Sequence, residues 1–164
     1  MELGIESILD TDDDNVPFLN PWEYSLNKSR LAHNFGWFNI YRAFGQKHIW
    51  PRGLPLNFAN SEINDFELST GKRQVDCFQS LVDGDPDIDA IGRLLFPDKV
   101  EFAHLDPVVL SGDSRVPTNS QATLWSRWVF PLLYLPSTAS FRMTDILNQK
   151  CLDTYSERKC TKLR

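Results

Sequence analysis

The feature that most constrains this chain is the run Ile8-Leu9-Asp10-Thr11-Asp12-Asp13-Asp14-Asn15, where a short apolar stretch passes straight into carboxylates. On an extended backbone alternate side chains share a face. Asp10, Asp12 and Asp14 then point one way, with Thr11 and Asp13 opposite. Carboxylates this close repel one another unless a cation sits among them. A hard ion such as Mg²⁺ is commonly held by one or two carboxylates together with substrate phosphates. The stretch therefore predicts a strand end that holds a divalent ion against a phosphorylated ligand. The competing reading is a solvated turn or a helix cap, which Asp-rich stretches also make. A calcium loop fits poorly. With Asp10 as first ligand, Asn15 stands where a Gly is needed and Pro21 where a bidentate Glu is needed. The apolar residues before the acids, and the lack of Gly after them, favour a site.

Composition narrows the field. A chain of 164 residues can bury one real core. With 24% charged and 41% hydrophobic residues it reads as globular. The net charge of -5 comes with no basic block and no aromatic-basic interleaving, so nucleic acid is not an expected partner. An acidic chain that binds a phosphorylated ligand needs a cation, which agrees with the acidic run. Cys77, Cys151 and Cys160 form no C-x-x-C, so neither a disulfide framework nor a zinc site is signalled. Cys77 reads as a buried structural thiol. No apolar run reaches membrane-spanning length. The opening Met1-Glu2-Leu3-Gly4-Ile5-Glu6 lacks the basic and apolar regions of a signal peptide.

Glu2 to Leu9 reads as a helix end running into a strand, with Gly4 as the stop. Open α/β sheets place ligands at the ends of several strands, and here only one short strand precedes the acids. A piece of a longer domain is the expectation. Further along, Val16 to Trp22 is a Pro-containing loop, and Glu23 to Gly36 reads as partly helical or as a lid. Gly36 to Phe44 reads as a strand or a buried irregular segment, and Ile49 to Leu56 as a loop shaped by two prolines and a glycine. Ser61 to Lys72 reads as loop with a short helix, and Val75 to Val82 as a strand. A helix is predicted over Pro86 to Leu95, capped by Asp85, with Ile88, Ile91, Leu94 and Leu95 on one face. Pro107 to Leu110 is a predicted strand and Gly112 to Gln121 a loop. Leu124 to Leu132 has helical spacing, and Thr138 to Arg142 is a further predicted strand.

A second acidic turn, Gly84-Asp85-Pro86-Asp87-Ile88-Asp89, has two readings. Its acids can cap a helix and favour its positive end. Alternatively one of Asp85, Asp87 and Asp89 acts on a substrate as base or hydroxyl acceptor. Arg52 lies between Pro51 and Gly53, a rigid and a small residue that would fix and expose it for a phosphate or sugar contact. His33, His48 and His104 have no ligand spacing and read as structural. The five tryptophans are mainly core payload, although one of them could stack on a sugar ring. No Ser/His/Asp or Cys/His nucleophile set and no Gly-rich phosphate loop is present.

The series TDDDN, IWPRGLPL, GDPDIDAIGRL, TNSQATLW and ASFRMTDI, in that order, resembles the STELLO-type glycosyltransferases over roughly Gly4 to Ile146. That family is related to the reversibly glycosylated polypeptides, the plant UDP-arabinopyranose mutases. The resemblance implies an α/β fold: a partial GT-A-like nucleotide-sugar transferase fold that lacks the N-terminal base-binding strands. It divides the chain into a transferase segment, 1–146, and a divergent polar tail, 147–164.

By the same resemblance the acidic run plays the D-x-D role. Asp12 and Asp14 lie at Mn²⁺ or Mg²⁺ and the diphosphate, and Asp13 near the ribose or sugar. The metal would neutralise the charge that develops on a departing nucleoside diphosphate. Arg52-Gly53-Leu54-Pro55 matches the element that carries the glycosylated arginine of the mutases, which makes Arg52 a sugar acceptor or a diphosphate clamp. Pro86-Asp87-Ile88-Asp89-Ala90 matches a second element, and Asn119, Ser120 and Gln121 a third. Arg93 joins Arg52, Asn119 and Gln121 as a candidate nucleotide-sugar contact. The implied partner is a UDP-sugar or similar nucleotide sugar, with a polysaccharide synthase complex as a further partner, and the implied location is the Golgi, with the cytoplasm as the alternative.

Two other readings stand beside this one. Asp12-x-Asp14-x-Val16, with Gly84-Asp85 and Asp89, loosely fits a haloacid-dehalogenase-like phosphatase in which Asp12 is phosphorylated. A non-catalytic scaffold of a synthase complex is the third.

Overall fold

The computed structural model describes residues 7–11, 28–33, 35–63, 66–70, 77–110, 114–119, 121–127 and 129. In chain order the strands are β1 (Ser7–Thr11), β2 (Lys28–Ala32), β3 (Gly36–Trp37), β4 (Phe66–Thr70), β5 (Cys77–Gln79), β6 (Val108–Leu110), β7 (Ser114–Arg115) and β8 (Ala122–Ser126). The α-helix α1 (Ala90–Leu95) and 3₁₀ turns at Ile40–Phe44 and Leu56–Phe58 complete the set among the described residues. The described residues thus form three small sheets, one antiparallel, one mixed and one parallel, with little helix. No helix among the described residues is long and apolar enough to cross a membrane.

The chain divides into two compact units. The first takes Met1–Glu23, Gln74–Ser80 and Thr118–Arg164. Its sheet has the order β1-β8-β5 and is antiparallel throughout. β8 is the centre because its sequence alternates: Thr123 and Trp125 are buried, while Ala122, Leu124 and Ser126 are half-exposed. The helical spacing read from Leu124 onward does not form there. Thr123 and Trp125 suit a pleated surface, and strands on both sides satisfy the β8 backbone. β1 ends its described length at Asp10 and Thr11, which pair with Thr123 and Ala122 and are exposed.

The second unit takes Tyr24–Arg73 and Leu81–Pro117. One sheet has the order β4-β2-β6, antiparallel between β2 and β4 and parallel between β2 and β6. A two-stranded parallel sheet joins β3 to β7. The core cluster is Tyr41, Ile49, Ile88, Val100 and Phe102, with Ile40, Phe44 and Leu81 packed against it. Most of these residues lie outside regular strands.

Several expectations are corrected here. The segment read as partly helical contains β2, and the segment read as loop with a short helix contains β4. Both strands are rich in polar residues, so no apolar period announces them. Their partners hold them instead. Arg30 shows how: its Nε donates to the Asp106 carbonyl at 2.9 Å and its Nη1 to the Ala43 carbonyl at 3.1 Å. Its guanidinium lies 4.8 Å from the Phe44 ring centre and 4.9 Å from that of Phe66. The loop expected over Gly112 to Gln121 includes the short strand β7. The helix expected over Pro86 to Leu95 begins only at Ala90. Its proposed apolar face is not the core face, because Ile91, Leu94 and Leu95 are exposed while Ile88, before the helix, is buried. The expected strand at Thr138 to Arg142 and the 146/147 boundary lie outside the described residues.

Candidate functional site

The Pro-Arg-Gly turn and the second acidic turn are brought together in the second unit. Pro51 and Leu54 are buried, whereas Arg52 and Gly53 between them are exposed. Leu54 N–H donates to the Pro51 carbonyl at 3.2 Å, and Gly53 has φ +86°. A positive φ at the third position of a tight turn is the conformation that glycine adopts without a Cβ penalty. The turn therefore has buried feet and presents Arg52 at its crest.

Pro51 and Ile88 form an antiparallel bridge. Arg52 N–H donates to the Asp87 carbonyl at 3.1 Å, and Asp89 N–H donates to the Trp50 carbonyl at 3.1 Å. Across this ladder the Arg52 guanidinium meets the Asp87 carboxylate at 3.0 Å. The Asp87 side chain is 15% exposed and that of Arg52 43%, so the pair sits with one member largely sheltered and one reaching out.

The other two acids of the turn have different partners. Asp85 pairs with Arg93, whose guanidinium also donates to the Pro86 carbonyl at 3.0 Å. Asp89, not Asp85, is the cap of α1: its carboxylate accepts from Ile91 N–H at 3.0 Å. The cap shifts because the Pro51–Ile88 bridge and its flanking hydrogen bonds tie residues 87–89 to the facing turn, so the helix starts one turn late. Gly92 lets α1 lie close to this ladder. A Cβ there would come within 3.0 Å of Ile88 Cγ2 and 3.9 Å of the Trp50 ring. An open groove of about 440 Å³, lined by Asp85, Arg93, Phe96 and Lys99 among others, lies alongside.

Two residues that sequence reasoning passed over hold the ladder from below. Asn39 is buried, and its Nδ2 donates to the carbonyls of Ile49 and Ala59, each at 2.8 Å. Its Oδ1 accepts from Tyr41 N–H at 3.2 Å. The buried Tyr41 phenol donates to the Asp87 carbonyl at 3.1 Å. Burial first, and the Asp87 carboxylate second, push this phenol well above its ordinary pKa, against the pull of Arg52 and Arg93. It therefore stays a donor. The signal was present in Gly36 to Phe44: a lone amide inside an aromatic run is a polar group that a buried segment must satisfy.

Asn119 and Gln121 belong to the first unit. Asn119 is buried; its Oδ1 accepts from Gln121 N–H at 3.1 Å, and its carbonyl accepts from the Thr123 hydroxyl at 2.5 Å. Its side chain thus shapes the turn into β8. Asp12, Asp13 and Asp14 lie outside the described residues; the described part of the run ends at Asp10 and Thr11, both exposed. Among the described residues no group of three or more His, Cys, Asp or Glu side chains is arranged to hold a metal ion.

The chain is similar to known proteins. Over 119 residues it is 35% identical to the probable glycosyltransferase STELLO2 and 34% identical to the probable glycosyltransferase STELLO1, both of Arabidopsis thaliana. Each match takes in 66% of this chain and 15% of the relative, so the chain spans about 15% of the length of the curated relatives it matches. No protein-family model matches it. Over these 119 residues the chain is similar to STELLO-type probable glycosyltransferases.

Proposed function

We propose that the chain is part of the catalytic region of a metal-dependent glycosyltransferase that uses a nucleotide sugar such as a UDP-sugar. The observation that carries this is the Arg52–Asp87 pair on the bridged ladder, in a chain related to probable glycosyltransferases. An exposed guanidinium on a rigid turn is suited to a diphosphate or a sugar hydroxyl, because its planar fork bonds two oxygens at once. Arg93, held by Asp85 at the groove, is a second such contact. Of the acidic turn, Asp87 and Asp85, each paired with an arginine, are proposed to accept a hydroxyl proton or orient a sugar, while Asp89 caps α1. Asn119 and Gln121 are proposed as further contacts to the nucleotide sugar. Asp12 and Asp14 would hold Mn²⁺ or Mg²⁺, with Asp13 near the ribose or sugar. The carboxylate donor set suits a hard divalent ion, and Asp10 and Thr11, which precede it, are exposed. Bound there, the metal would supply charge neutralisation on the leaving diphosphate.

Calorimetry with UDP-sugars in the presence and absence of Mn²⁺ tests the reading. Binding should require the metal, and Arg52→Ala should weaken it about tenfold or more, as expected for loss of a charge-assisted contact. No binding, or binding indifferent to both Mn²⁺ and Arg52, overturns it.

A further inference from the structure

Resting on the reading above, we infer that Tyr41 is the positioning residue of the Arg52–Asp87 pair, setting where the Asp87 main chain lies and so where the Arg52 guanidinium meets a phosphate-bearing ligand. The Asp87 carbonyl accepts two hydrogen bonds, one from the Tyr41 hydroxyl and one from Arg52 N–H, each at 3.1 Å. A carbonyl oxygen has two lone pairs, so both are engaged. The same two residues, Arg52 and Asp87, also pair through their side chains. The phenol thus ties the Asp87 main chain to the buried core, whereas the Arg52 bonds tie it to the exposed turn.

Tyr41 is a suitable fixed point. It is 2% exposed, and its ring packs against Phe102 with centroids 4.9 Å apart. Its own N–H is held by Asn39, and its carbonyl accepts from Gln46 N–H at 3.0 Å. Its bond to Asp87 spans 46 residues of sequence, so it ties the acidic turn to the core and not to its own neighbourhood. When a phosphate oxygen competes with the carboxylate for Arg52, the acid stays close by, because its backbone is held independently of the arginine side chain.

Tyr41→Phe removes the hydroxyl and keeps the ring. Two readouts are compared with the wild type: the rate at which phenylglyoxal modifies Arg52, followed by peptide mass spectrometry, and the affinity for a UDP-sugar with Mn²⁺. An arginine held against a carboxylate reacts slowly with dicarbonyl reagents. Tyr41→Phe should speed modification about fivefold and weaken binding by about the same factor, the ratio that follows from one net hydrogen bond. Phe66→Leu, on β4 and packed against Arg30, is the control. It should lower the melting temperature while leaving the Arg52 modification rate near the wild-type value. Wild-type reactivity in Tyr41→Phe overturns the inference, as does an equal gain in Phe66→Leu, which would mean general loosening. If the wild type binds no sugar nucleotide, the proposed function falls, and the modification rates alone still decide the role of Tyr41.

Discussion

At the scale of single residues, the second unit depends on polar groups satisfied inside it. Asn39 is 1% exposed and connects three backbone groups: the carbonyls of Ile49 and Ala59 and the N–H of Tyr41. Its removal would strand two buried carbonyls, and a stranded buried group costs about 1–3 kcal/mol. Asn39→Ala should therefore lower unfolding stability by about 2–4 kcal/mol in urea titration, and Asn39→Asp should also lose stability because it has no donor for either carbonyl. At the surface, Glu62 illustrates a weaker effect. Its hydrogen bond to Arg42, and then the charge of that guanidinium, hold its carboxyl below the ordinary range. A carboxyl depressed in the folded state contributes stability above its unfolded pKa and loses it as pH falls through the folded value. Glu62→Gln should accordingly flatten the acid limb of the stability–pH curve slightly and leave stability in mild acid lower than in the parent. An identical acid limb in the two proteins would rule this out.

At the scale of elements, α1 shows why a short segment needs tertiary help. A helix of 6 residues is far below the length at which isolated helices persist. It is held by the Asp89 cap and by the close approach that Gly92 allows. Asp89→Ala should cost about 1 kcal/mol, with Asp89→Asn recovering most of it, since both Asp and Asn accept from the first turn. Chemical denaturation of the three proteins measures this directly. Equal stability of the Ala and Asp forms would show that the cap contributes nothing. The same carboxylate was a catalytic candidate on sequence grounds; it accepts from Ile91 N–H, while Asp85 and Asp87 pair with Arg93 and Arg52.

At the scale of the whole molecule, each unit has to be taken separately, and the core of the second one is made by loops. Ile49 follows the first 3₁₀ turn, Ile88 and Val100 belong to isolated bridges, and Phe102 follows one of them. Ile49 is 3% exposed, whereas Leu94 on α1 is 84% exposed. Ile49→Ala should lower stability by about 2–5 kcal/mol, while Leu94→Lys should change it by less than about 0.5 kcal/mol. Thermal unfolding of the pair checks that the apolar centre lies under the Pro-Arg-Gly turn and not under the helix.

Local chemistry was readable without coordinates wherever it acts between near neighbours. The strand running toward the acids, the Pro-Arg-Gly turn, the strand at β6 and the Ala90–Leu95 part of the helix expected over Pro86 to Leu95 all follow from residues within a few positions of one another. Long-range pairing was not readable. β2 and β4 carry polar sequences that become strands by pairing with each other and with β6, where Arg30 of β2 finds the rings of Phe44 and Phe66 and two backbone carbonyls. The meeting of Arg52 with Asp87, and the phenol of Tyr41 beneath them, likewise joins segments far apart in the chain. Side-chain type sets what a residue can bond to; which partner it reaches depends on how the backbone closes its loops, and that is settled by burial of the core they share.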